Sequence, residues 1–222
     1  MNKDYKTPKW EKRKNKIQEY EKSYFERAER SRNALNLEDA SKVKEWLLLK
    51  LTYAEIIEID YVNGQRDAFL EHLNCLLQYA YLCCKAYKDG VEMQEAFKRN
   101  IAAELTSGYE GYFALIAGDE STLINVTNEE HSIRKMLESK NFSSGSDEYN
   151  EIEDMIHAIV ENDSERFNKA LRERIRIIRR MPIDYYFCFD VWSVGLIKYA
   201  EKLGMKVDRD KYIEADLCRI GL

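Results

Sequence analysis

The chain has 222 residues, 45% hydrophobic and 34% charged, with only two prolines and nine glycines. That is length enough to bury a core without disulfide or metal staples. So few breakers exclude a turn-rich all-β protein, and no apolar run approaches the length needed to span a bilayer.

In chain order, the first element follows Pro8, a residue suited to the first helical position, and runs from Lys9 to Arg32. Trp10, Ile17, Tyr20, Tyr24, Phe25 and Ala28 mark a narrow apolar face, so this helix is expected to pack on one side only. Residues 1–32 carry eleven Lys/Arg against six Asp/Glu, and the remainder is acidic at a net −10. A basic arm on an acidic body suits nucleic acid, but is more often a solvated first helix.

The segment Leu37 to Tyr61 is apolar on most sides and predicts a central, buried helix, with Gly64 as its C-cap. A helix over 67–87 follows, with Asp67 as its expected N-cap and "KDG" at 88–90 as its stop. Residues 91–117 predict one or two helices, broken within "TSGYEG" at 106–111. Shorter helices are predicted around 120–126 and 128–139, and "NFSSGSD" at 141–147 is a loop. Further helices are predicted at about 147–161, 164–180 and 184–203, then a short last one capped by Asp208 or Asp210.

The expected fold is therefore all-α. It is a compact bundle of about eight to ten antiparallel helices with hairpin corners and no significant β-sheet. A single domain is expected over 1–222, with an N-terminal half of about 1–140 and a C-terminal half of about 147–222. The phrases "YFALIAGDESTLINV" (112–126) and "HAIVENDSERFNKAL" (157–171) share one pattern. Gly118-Asp119 and Asn162-Asp163 each place a residue tolerant of positive φ before a capping residue, which predicts a helix–tight turn–helix corner.

No chemistry stands out. His72, His131 and His157 lie in no metal-binding spacing, and Cys83-Cys84 are neighbours that point apart on a helix. The odd set of five cysteines fits free thiols in a reducing compartment. No nucleophile elbow, P-loop or dinucleotide fingerprint occurs. The chain is expected to be no enzyme, with no catalytic residue, cofactor or metal ligand, and to be cytoplasmic without a leader or membrane contact.

Two charged stripes are more specific. Lys169, Arg172, Arg176, Arg179 and Arg180 share an arc opposite Phe167, Leu171, Ile175 and Ile178. Asp147, Glu151, Asp154 and Glu161 form an acidic arc opposite Ile152, Ile156 and Ile159. These are wet faces of two amphipathic helices that could pair across a hairpin seam, or a docking surface for a partner; the acidic arc is the candidate partner-binding set.

The C-terminal stretch resembles bacterial polymorphic-toxin immunity proteins of the immunity protein 49 type. Ala158–Phe167 match that group's Gly-Asp corner, Val194–Gly204 ("VGLIKYAEKLG") its apolar helix, and Tyr212–Leu217 its tail. Asn162 replaces the corner glycine, and Glu214 stands where the tail has proline. "KLTYAEIIEIDYVNGQ" (50–65) is similar to a helix of the all-α PoNi-type immunity group, whose aromatic "GYWSFE" motif "FDVWSVG" (189–195) meets poorly. Either resemblance implies an all-α immunity protein that neutralises a cognate toxin domain by direct contact. The alternatives are a helical-repeat adaptor that binds a peptide or protein, and a nucleic-acid-binding regulator using the basic first helix and Arg172–Arg180.

Overall fold

The computed structural model describes residues 8–33, 42–107, 109–118, 150–181 and 188–208, and these form eight helices with no strand among them. The helices are α1 (Pro8–Asn33), α2 (Val43–Asn63), α3 (Arg66–Lys88), α4 (Glu95–Ser107), α5 (Tyr109–Ala117), α6 (Asn150–Glu161), α7 (Ser164–Ile178) and α8 (Val191–Lys202). One continuous hydrophobic cluster draws residues from all eight, from Ile17 to Met205. The all-α reading of the composition is thus the observed fold.

Helix α2 is central. Trp46, Leu47, Leu49, Tyr53, Ile56, Ile57, Ile59, Tyr61 and Val62 are all buried, and together they cover most of its circumference. It ends where Gly64 takes a left-handed conformation at φ 71, with Gln65 N–H donating to Asp60 O. The turn folds α3 back antiparallel on α2, so Asp60 meets His72 and Tyr53 stacks on Tyr79 at 5.9 Å. Helix α1 packs on α2 through Ile17 and Ala28.

Two boundaries differ from those expected. Gln65, not Asp67, occupies the N-cap of α3; Asp67 lies in the first turn, where a carboxylate still complements the helix dipole. As expected, α4 and α5 part within 106–111: α4 ends at Ser107 and α5 begins at Tyr109. The helix expected from about 184 begins only at Val191. Asp190 is its N-cap, at φ −84 and ψ 106, and its carboxylate accepts from the Ser193 N–H and hydroxyl. Ahead of it Cys188 donates its N–H to buried Glu58, which holds residues 188–190 out of the helix. The helices expected near 120–126 and 128–139, the loop at 141–147 and the last short helix lie outside the described residues.

Aromatic contacts join the halves. Phe189 packs against Tyr61 of α2 at 5.1 Å and Phe69 of α3 at 5.9 Å. Trp192 of α8 meets Tyr112 of α5 edge-on at 6.3 Å. Gly195 permits that approach: a Cβ there would stand 2.9 Å from the Tyr112 carbonyl oxygen. Phe69 and Phe189 are fully buried, and each contributes roughly 1.5–3 kcal/mol of transfer free energy.

Candidate functional site

The α6–α7 hairpin carries most of the predicted site residues. Its corner forms as its sequence directs. Asn162 adopts φ 54, the one positive-φ residue other than glycine among the described residues. The Asn162 N–H donates to Ile159 O at 3.2 Å and the Asp163 N–H to Ala158 O at 2.8 Å, closing the Schellman pattern that satisfies the last carbonyls of α6. Asp163 then caps α7, one carboxylate oxygen accepting from Glu165 and Arg166 N–H groups at 3.0 Å each. In the first copy of the phrase Gly118 has φ 72 and donates to Leu115 O, while Asp119 lies outside the described residues.

Above this corner a cleft of about 550 Å³ is lined by Glu151, Asp154, Asp163, Glu165, Arg166, Lys169, Ala170, Arg172 and Glu173. Arg166 spans the seam. Its two terminal nitrogens donate to Asp154 Oδ1 and Glu161 Oε2, each at 2.8 Å. Those hydrogen bonds raise the guanidinium above its ordinary value. The charged faces of the two helices therefore do pair, but through a residue outside the predicted basic stripe. Within that stripe, Arg172 lies 4.0 Å from Asp208 and Arg176 is bonded to Glu173 on its own helix.

Of the predicted acidic set, Glu151, Asp154 and Glu161 stand on α6, and Asp147 lies outside the described residues. Asp154 and Glu161 are joined by Arg166. Glu151 is part-buried in the cleft wall, and its Oε2 meets no hydrogen-bond donor among the described residues. Carboxylates outnumber cations around the cleft, which complements a basic partner surface. The segment after α8 frames the same region: Asn168 holds the Lys206 carbonyl and the Asp208 N–H, and Ser164 accepts from Lys206 N–H.

The buried polar groups were not singled out by the sequence patterns. Glu58, fully buried on α2, accepts from Arg13 of α1 at 2.7 Å and from the Cys188 N–H. Desolvation pushes its carboxyl up to about 7, against the charge and hydrogen bond of Arg13 and the Cys188 N–H. Burial pulls the Arg13 guanidinium down, but Glu58 and Glu55 outweigh it and leave it raised. Asp60, also fully buried, bonds His72 Nδ1 at 2.7 Å. Arg174 sits on the otherwise apolar face of α7, gripping Asp190 with two nitrogens at 3.1 and 3.2 Å and lying 5.3 Å over the Trp192 ring. One signal for Glu58 and Asp60 was present: "EIIEIDY" places three carboxylates, Glu55, Glu58 and Asp60, in a helix apolar on most sides, so those on its buried faces needed partners.

These pairs join helices; among the described residues no group of three His, Cys, Asp or Glu side chains could hold a metal ion. No described helix is long and apolar enough to cross a membrane. Cys83 and Cys84 are buried among apolar neighbours, as expected, and Cys75 and Cys188 likewise lie outside any disulfide. The chain matches no protein-family model, no curated protein and no solved structure.

Proposed function

We propose that this chain is an immunity-type protein that binds a cognate secreted toxin domain and neutralises it by direct contact through the α6–α7 face. The observation that carries the reading is the cleft at the corner. The residues that resemble the immunity protein 49 corner, Ala158–Phe167, form a rigid capped turn beside a cleft rich in carboxylates. A surface of this kind suits recognition. Arg166 fixes Asp154 and Glu161 before any partner arrives, so little side-chain freedom is lost on binding. Remaining carboxylates, Glu151 and Glu165 among them, favour a basic surface such as the cleft of a nucleic-acid-cleaving toxin. Inhibition of this kind requires no chemistry of the inhibitor.

The test is co-expression with the variable C-terminal domain of a toxin encoded beside this gene. Protection and co-purification are expected, and both should be lost in Glu151→Lys/Asp154→Lys/Glu161→Lys while the thermal transition persists. A chain that neither binds that domain nor protects against it overturns the proposal.

A further inference from the structure

A second surface lies on the α1–α2 side of the molecule and is independent of the reading above. A groove of about 280 Å³ runs between Arg13, Lys16, Ile17, Tyr20, Ser23, Tyr24 and Arg27 of α1 and Glu55 of α2. The α1 residues recur every three or four positions, so they form one face of that helix. That face bears three cations and no carboxylate. Glu55, the lone acid of the lining, is already bonded to Arg13 at 3.2 Å.

Apolar surface continues from the groove along α2. Leu51 and Leu48 stand one and two turns before Glu55, within an arc of about 60° at the helical repeat. They are 49% and 40% exposed, and Tyr20 across the groove is 47% exposed. Tyr20 meets Tyr24 edge-on at 6.5 Å, and Arg27 lies 5.6 Å from the Tyr24 ring centre. Half of the six exposed large apolar side chains among the described residues thus gather on one strip, beside cations. Lys44 extends the strip by a further turn, also exposed and also basic.

We infer that this strip docks an acidic amphipathic helix of another protein, whose apolar face covers Leu48, Leu51 and Tyr20 and whose carboxylates face Lys16, Arg27 and Lys44. Apolar anchors at helical spacing with a charged border are the pattern by which grooves take such helices. Charge selects the partner: a basic helix would meet like charge along the same border.

The test uses fluorescence anisotropy with the full chain and three labelled probes: an amphipathic leucine–glutamate helical peptide, its leucine–lysine counterpart, and oligothymidylate. The glutamate peptide is expected to bind at low salt and to weaken as salt rises. Leu48→Glu/Leu51→Glu should weaken it about tenfold or more. So should Lys16→Glu/Arg27→Glu on the other wall, a second variant that keeps the result readable should the first disturb folding. Several outcomes overturn the inference: no binding of the glutamate peptide, equal or tighter binding of the lysine peptide, or preference for oligothymidylate, which would mark a nucleic-acid surface. Self-association of the wild-type chain that Leu51→Glu abolishes would assign the strip to a second copy instead.

Discussion

Arg174 and Arg166 sit two turns apart on α7, and each bonds carboxylates from outside that helix, yet they serve different ends. The Arg174 and Asp190 side chains are 2% and 6% exposed, and they anchor the cap of α8 inside the core. Arg166 is 36% exposed, with partners at 56% and 55%, and it ties the surface of one hairpin. Identical chemistry thus supports a helix junction in one place and a presentable surface in the other. The difference lies in solvent. Buried charges are costly to leave unpaired, whereas exposed ones are rehydrated when a partner is removed.

The sharpest test of that contrast is Arg174→Leu. It should strand the Asp190 carboxylate and lower the unfolding free energy by about 3–5 kcal/mol, read by chemical denaturation. A loss no larger than that of a surface variant would break the comparison.

The next effect is one of pH. Glu58 has a carboxyl raised from 4.5 to about 7 in the folded chain by desolvation. The folded state therefore holds the proton more tightly than the unfolded one. The resulting stabilisation is complete below about pH 4.5 and is lost as pH rises through about 7. Its size is on the order of a few kcal/mol. The difference in stability between wild type and Glu58→Gln, followed from acid to neutral pH, should show this slope. A difference that stays constant with pH would show that Arg13 holds Glu58 ionised throughout.

Smaller effects are expected at the hairpin corner. Asp163→Ala should cost about 1 kcal/mol through loss of the α7 cap. Asn162→Gly should be neutral or stabilising, because glycine takes the positive φ of 54 without strain. The smallest change in stability is expected for Arg166→Ala, with a midpoint shift near the limit of measurement. If the proposed toxin domain is the partner, the consequence should appear instead as weakened capture of that domain, since Asp154 and Glu161 are then no longer held in place.

The corner illustrates what could be read early. Asn162-Asp163 foretold both a left-handed residue and a cap, because those are local demands on one or two residues. The start of α8 could not be foreseen in the same way. "DYYFCFDVW" has helical hydrophobicity throughout, but Glu58, about 130 positions away in the chain, takes the Cys188 N–H. The acidic arc was legible as a periodic stripe. Its neutralising partner was not, because Arg166 lies in the first turn of α7, beside the basic arc rather than within it.

By itself, then, the sequence determined the all-helical class, the central place of α2, the Asn162-Asp163 corner and the charged stripes of α6 and α7. Propensity, periodicity and capping act within a few residues, so they can be read along the chain. Tertiary structure alone decided which charges became buried struts and which stayed on the surface. It paired Arg13 with Glu58 and Arg174 with Asp190, and it set Tyr20 across a groove from the face that carries Leu51. Those outcomes depend on which helices meet and how much water is excluded where they do, and neither is encoded in any single segment.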